Sequence, residues 1–386
     1  MKIKVPVLLA LALHIGAAAY GQRGTDYDKV VVLQTRIDAR DLGYAPLDVI
    51  PDGESGITSL TVAPNGKLYG ATSGKHSHLF VLIPRHGYVQ PLGVIPGATA
   101  VTHAVAVSAS GDVYIGTSPR GRLLKYTPRD EDDQAIPIGK PLPVADLGQP
   151  VAGESIFALT IDRKADVLYG LTSPNTHFFQ YSIATGKFTD LGIVANKIPE
   201  GEKFEKDKMM SRMLVVDQHG YVFASGEDGT IFRFDPKAQK LERLSIRAPA
   251  VPGREIWTRV DAFLLDPSGV IYGGASDGYL FRLDPEKLTV TNLGKPLTQY
   301  RIDGLVQEPG GKLYGVGGNQ EEMARLFSYD PSIGAYDVLG FVDVNRRPYY
   351  TWQAYVIGAM ASDDCGTVYI GEDERISKVY LFYPWQ

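Results

Sequence analysis

The feature that most constrains this chain is that it repeats itself. One phrase is written seven times: alternating apolar residues, a tight turn, then an aromatic followed by small residues. The aromatic recurs as Tyr69, Tyr114, Tyr169, Phe223, Tyr272, Tyr314 and Tyr369, at a mean spacing of about 50 residues. Three residues before each stands Gly66, Gly111, Asp166, Gly220, Gly269, Gly311 or Gly366. Gly or Asp at that offset suits the left-handed backbone of a hairpin. A third strand follows (LFVLIP, IFRFDP and LFRLDP among them), mostly closed by a proline that cannot continue the ladder. A fourth ends on an apolar-Gly pair, as in Asp190-Leu191-Gly192 and Asn292-Leu293-Gly294. Four strands per unit and seven units predict an all-β, seven-bladed β-propeller with four-stranded antiparallel blades. The seventh unit stops after its third strand, at Pro384-Trp385-Gln386, while Arg40-Asp41-Leu42-Gly43-Tyr44 carries the missing phrase near the other terminus. An N-terminal strand in the last blade would close the ring and remove an open sheet edge. No composition break marks a linker, so residues 22–386 read as a single domain.

Composition narrows the class. The 386 residues include 42 Gly, 25 Pro and 22 Tyr against a single cysteine, which suits short strands and turns and excludes a disulfide scaffold. A net charge of −5 argues against nucleic acid or an anionic membrane surface as the main partner. Beyond the N-terminus no apolar run is long enough to span a bilayer. Lys2 and Lys4 precede an apolar run from Val5 to Ile15 and then Gly16, Ala17, Ala18 and Ala19. That order predicts a cleaved signal peptide over residues 1–21 and export to the periplasm or beyond. No cysteine stands at the cleavage zone, so no lipid anchor is expected, and Cys365 has no partner for an intrachain disulfide.

Repeat register also maps the channel. Counting back from the aromatics gives an inner-strand ring of Thr58, His103, Phe157, Arg212, Asp261, Asp303 and Gly358. Aligning the third strands gives a second ring of His78, Arg122, His177, Thr230, Tyr279 and Arg325. Both rings are expected to face one mouth, and Arg259 and Arg301, two residues before their aspartates, to face it too. His78 and His103 would then be neighbours across a blade boundary, able to take and deliver a proton near neutral pH. Arg212 is a natural bidentate partner for a carboxylate. Together they suit a uronic acid: arginine neutralises the carboxylate, histidine removes the C5 proton, and an acid protonates the oxygen leaving C4. The expected chemistry is β-elimination, and stabilising the enolate-like charge is its largest demand.

Plainer readings stand beside this one. Asp261 with Arg259, and Asp303 with Arg301, can be local ion pairs in a wet channel. The same aspartates offer hard oxygen ligands for a structural Ca²⁺, although the elimination requires no cofactor. His177 repeats the register of His78 in blade 3 and can contact substrate or cap a loop. Arg346, Arg347, Tyr349, Tyr350, Trp352 and, just beyond, Tyr355 bring aromatic faces and arginines to the same mouth. Such residues stack on sugar rings and bind acid groups, or simply pack between blades.

One stretch carries a resemblance. Gly56-Ile57-Thr58-Ser59-Leu60, with Leu68-Tyr69-Gly70-Ala71-Thr72-Ser73-Gly74-Lys75-His76-Ser77-His78-Leu79-Phe80, resembles secreted seven-bladed propellers that cleave rhamnose from glucuronic acid. Gly153-Glu154-Ser155 and Ser211-Arg212-Met213-Leu214-Val215-Val216-Asp217 extend it, and ulvan lyases look like more distant relatives. The resemblance implies a substrate, L-rhamnose α-1,4-linked to D-glucuronate on arabinogalactan side chains such as those of gum arabic. It implies a rhamnose–glucuronate lyase, with α-L-rhamnosidase, a glycoside hydrolase, as the alternative. His78 and His103 match the lyases' histidine pair and Arg212 a carboxylate arginine; Arg259, Arg301, His177, Trp352 and Tyr355 are expected as further substrate contacts from their own places at the mouth. The lyases' channel tyrosine is replaced here by Phe157, which cannot move a proton. The hydrolases' single histidine falls early in the chain, where residues 21–75 contain none. Both departures open a third reading, a non-catalytic propeller that binds acidic glycans.

Overall fold

A computed structural model describes residues 30–32, 36–38, 50–51, 53–83, 88–129, 140–194, 211–298, 301–346 and 350–384. The leader expected over residues 1–21 and the Arg40–Tyr44 phrase lie outside these. The chain forms seven blades, each built on a four-stranded antiparallel sheet, to which blade 6 adds two further strands. The inner strands are Gly56–Val62, Val105–Val107, Ser155–Asp162, Val215–Val216, Val260–Leu265, Gly304–Gln307 and Ile357–Ser362. The ring closes through the N-terminal region as expected, but four residues earlier than the phrase suggested. Arg36–Asp38 is the fourth strand of blade 7, antiparallel to Lys378–Phe382 with Arg36 opposite Tyr380. A second N-terminal strand, Val30–Val32, adds parallel to the outer edge of blade 6 opposite Phe341–Asp343. Both cover edges that would otherwise be left unpaired. At the seam of blades 7 and 1, Gly53 N–H and Ser55 Oγ both donate to the Arg375 carbonyl, each at 3.1 Å. No helix among the described residues is long and apolar enough to cross a membrane.

The repeated phrase has a physical reading at each letter. All seven turn positions, Gly66 to Gly366, have positive φ, including the non-glycine Asp166 at φ 53°. All seven aromatics after them are at most 5 % exposed, so they are the fixed centre of each blade. The first small residue after the aromatic makes room for a phenyl ring. Gly70, Gly170, Gly273 and Gly315 stand directly opposite Phe80, Phe179, Phe281 and Phe327 of their own third strands. A Cβ on any of these glycines would run into the facing ring. The second small residue admits the next blade. Gly116, Gly274 and Gly371 receive Ile156, Ile302 and Ile57 from the neighbouring blade's inner-strand region. The core therefore lies between blades, where each buried aliphatic or aromatic side chain contributes about 1.5–3 kcal/mol.

Candidate functional site

Inner strands deliver their channel residues by a shared device. The pairing of first and second strands slips at Ile57/Ser59, Ile156/Ala158, Val260/Ala262 and Ile357/Ala359. The residues skipped are Thr58, Phe157, Asp261 and Gly358, all members of the ring expected from the repeat. A β-bulge leaves one residue unpaired and re-aims its side chain. His103 occupies the corresponding place in blade 2 with a left-handed backbone, φ 45°. Its N–H donates to the Thr58 carbonyl at 2.9 Å, and its own carbonyl accepts from Leu159 N–H at 3.0 Å, so successive blades are stitched together at the ring.

Blades 4, 5 and 6 fill the ring with charge. Asp261 is fully buried; Arg259 Nε donates to its Oδ1 at 2.6 Å and Arg301 Nε to its Oδ2 at 2.9 Å. Arg301 Nε also lies 3.3 Å from Asp303 Oδ1, and Arg212 Nε lies 3.8 Å from Asp261 Oδ1. Burial pushes the Asp261 carboxyl up, but Arg259, Arg301 and Arg212 outweigh it and hold the group below its ordinary range. Burial likewise raises Asp303. Arg212 is lowered to about 10 by burial and by Arg301 beside it. Three guanidiniums meet two carboxylates here, and two donors are left over: Arg212 Nε and Arg301 Nη2 are buried without a hydrogen-bond partner. Each of these side chains is 26 % exposed as a whole, although the two unpartnered donor atoms are themselves enclosed.

His103 stands beside this excess positive charge. Burial first, and then Arg212, lower its pKa from 6.5 to about 3, so the ring is neutral at physiological pH. Among the described residues the imidazole makes no hydrogen bond. It lines a cavity of about 820 Å³ whose walls also include Asp303, Leu60, Leu159, Leu214 and the hairpin turns at Asp162, Asp217 and Asp266. The arginines precede or begin their inner strands and these turns follow them, so the two lie towards opposite mouths. At the other mouth a second cavity, of about 520 Å³, is lined by Gln320, Tyr355, Val356, Asp373, Glu374 and Arg375.

The second ring does not join the first. A third strand stands two inter-strand spacings, roughly 10 Å, outward from the inner strand. Its leading side chains are engaged within their own blades. His78 is buried with Nε2 2.8 Å from Glu54 Oε2, and its N–H donates to Thr72 Oγ1 at 3.0 Å. His76 Nδ1 holds the other Glu54 oxygen at 2.7 Å. His177 repeats the arrangement in blade 3, with Nδ1 2.9 Å from Asp190 Oδ2 and its N–H donating to Thr172 Oγ1, which itself donates to Glu154. Arg122 pairs with Asp146, and Arg325 lies over the Phe341 ring. Charges acting on His78 come from Glu54 and His76, those on His103 from Arg212, Asp261, Arg301 and Arg259. The expected pairing of the two histidines is therefore not seen.

Tyr355 is at the arginine mouth, its N–H donating to Glu374 Oε1 at 3.0 Å. Trp352 lies on the strand Tyr350–Gln353, its backbone opposite Val344 on the long outer strand of blade 6. Arg347 and Tyr349 lie outside the described residues. Phe157 is half-buried and packs against the core of blades 3 and 4. A Ca²⁺ does not fit Asp261 and Asp303: both Asp261 oxygens are taken by arginines, and a cation would sit among three guanidiniums. Among the described residues no group of His, Cys, Asp or Glu is arranged to hold a metal ion. Sequence reasoning missed Asp373 altogether, because it follows the second strand, where the repeat prescribes nothing. The small residues Gly56 and Gly358 were the available signal, since both leave room for it. It also missed Arg163, whose Nε and Nη2 donate to the carbonyls of Val107 and Val62 and tie three blades together.

No family model matches the chain, and no curated protein matches it in sequence. Solved structures do resemble it. A streptogramin B lyase superposes with a TM-score of 0.63 at 12% identity, over 87% of this chain and 96% of that one. Catalytically inactive virginiamycin B lyase from Staphylococcus aureus, with quinupristin, gives 0.60 at 10% identity, over 86% and 97%. The extracellular domain of a hybrid two component system from B. thetaiotaomicron gives 0.58 at 14% identity, over 86% of this chain and 39% of that one. At these identities the likeness is one of fold, and it establishes the chain as a seven-bladed β-propeller.

Proposed function

We propose that the protein is a carbohydrate lyase that binds a uronate at the arginine end of the channel and cleaves it by β-elimination. The observation that carries this reading is the pair of buried, unpartnered guanidinium donors, Arg212 Nε and Arg301 Nη2, beside a neutral histidine without a hydrogen bond. Buried donors without acceptors are costly, and a carboxylate would supply charge-assisted partners. In the elimination, the arginines hold the carboxylate and its enolate-like form, while His103 accepts the C5 proton. Carboxylate binding would also offset the positive charge that depresses His103, making the imidazole more basic once substrate is in place. His78, bound to Glu54, supports blade 1 and takes no proton in this reading. The substrate we assign is glucuronate bearing α-1,4-linked L-rhamnose, as in gum arabic, on the resemblance of the blade 1 segment. The streptogramin lyases supply a precedent for a lyase on this fold.

Phe157 favours one second reading, a propeller that binds acidic glycans without cleaving them, because its place in the ring offers no proton. Incubation with gum arabic, following ultraviolet absorbance and released sugar together, separates the readings. Rising absorbance from an unsaturated uronate is the expected result. Free rhamnose with flat absorbance would mean hydrolysis, and binding with neither product would leave the second reading.

A further inference from the structure

The ring of bulged residues has a gap at its seventh place. Gly358 contributes no side chain there, and a Cβ on it would meet the Ile57 carbonyl and, at 2.9 Å, the Cβ of Asp373. Asp373 comes from the end of the second strand of the same blade, its backbone fixed by N–H donation to the Val356 carbonyl at 2.9 Å. Its carboxylate crosses towards blade 1, where Oδ1 would lie 2.5 Å from a Cβ on Gly56. Two glycines thus make the space that Asp373 fills. It lies against Gly358 of blade 7 and Gly56 of blade 1, and Arg212 and Arg301 act on it by charge. It lines the cavity at the arginine mouth together with Tyr355.

We propose that Asp373 is the catalytic acid that protonates the leaving oxygen, a role the phenyl ring of Phe157 cannot fill. This rests on the lyase reading above. His103 takes the C5 proton, the C5–H electron pair forms the C4=C5 bond, the C4–O bond breaks with its electrons on oxygen, and Asp373 gives that oxygen its proton. Solvent then returns a proton to Asp373 and removes one from His103. Among the described residues the Asp373 carboxyl makes no hydrogen bond and no ion pair. Burial pushes its pKa up, Glu374 adds to this, and Arg212 and Arg301 oppose it.

The test is Asp373→Asn, nearly isosteric, on two substrates. One is a natural 4-O-glycosyl uronate; the other carries fluoride at C4, which leaves as an anion without needing a proton. The expected result is a loss of about 10²- to 10⁴-fold in kcat on the glycoside, with turnover of the fluoride substrate close to wild type. The wild-type rate on the glycoside should also fall as pH rises through the Asp373 titration, a limb the variant should lack. Equal loss on both substrates, or no loss on either, would overturn the assignment. Wild-type enzyme that eliminates neither substrate would overturn the lyase reading and the acid role with it. The infrared band of a protonated carboxyl, present in wild type and absent in Asp373→Asn, separates the two failures. With the band present, the reaction was misassigned; with active enzyme and no band, Asp373 was.

Discussion

Arg301 and Asp261 meet across the boundary of blades 5 and 6, Nε to Oδ2 at 2.9 Å, where the aspartate is wholly buried. The pair serves two purposes. It neutralises one positive charge in a place where an isolated ion would be costly, and it leaves the Arg301 Nη2 donor without a partner in the protein.

Asp261 is accordingly the charge whose removal costs most. Asp261→Asn would leave three guanidiniums facing a single carboxylate, with the buried Arg259 losing its 2.6 Å partner. A destabilisation of about 3–5 kcal/mol is expected, the range for breaking a buried ion pair from one side. Urea unfolding of wild type and variant measures it. A variant unfolding at the wild-type midpoint would mean that the arginines are solvated and that the cluster is no buried network.

Arg212 has the opposite balance, since its Nε bonds to nothing in the protein. Arg212→Met should therefore leave the fold intact and weaken a uronate-ended oligosaccharide by about 10- to 100-fold, equivalent to losing a charge-assisted hydrogen bond of about 1.5–3 kcal/mol. Calorimetric titration should show that loss for the acid and little change for its methyl ester. Equal loss for both would place Arg212 against the sugar rather than the carboxylate.

The pH dependence of stability carries the signature of His103. Its pKa is about 3 in the folded chain against an ordinary 6.5, so between these values the unfolded chain binds more protons. Stability from this group is complete above pH 6.5 and declines as pH falls towards 3, at up to about 1.4 kcal/mol per unit, the slope of one linked proton. His103→Asn, whose side chain tolerates the left-handed backbone here, should remove about one proton from that slope. Denaturation midpoints at several pH values test this, and an unchanged slope would mean that His103 titrates normally.

How much of this was legible in the sequence depends on whether a residue is repeated. Gly66, Tyr69 and their six counterparts recur because every blade needs the same turn and the same buried ring, so pattern alone locates them. The inner ring was legible for the same reason: the bulge that aims Thr58 and Asp261 recurs in register. His78 was placed correctly in its strand but not in its company, because Glu54 belongs to the loop before the inner strand and no spacing rule links the two. Asp373 was missed because it follows the second strand: the repeat located the gap at Gly358, but no spacing rule says which side chain fills it. The closing strand came at Arg36–Asp38 instead of the Arg40–Tyr44 phrase because any short extended segment able to pair with the edge of Lys378–Phe382 can serve.

The glycine after the aromatic is held there by packing against a phenyl ring. Gly273 lies opposite Phe281, and all three atoms nearest to an added Cβ belong to that one ring. Gly273→Ala should therefore force Phe281 off its rotamer and cost about 1–3 kcal/mol, as overpacking does. Phe281→Leu alone should be destabilising through the space it leaves, since Phe281 is fully buried. Combined, the methyl group fills part of that space, so the double variant should be more stable than the two single losses add up to. A double-mutant cycle by urea unfolding measures the coupling, expected at about 0.5–3 kcal/mol for residues in contact. Strict additivity would mean that the ring moves aside freely, and the glycine after the aromatic would then need another cause. The same substitution at Gly170 should be harder to rescue, because there the added Cβ also meets the Ala158 carbonyl at 2.7 Å, and backbone cannot step aside as a ring can.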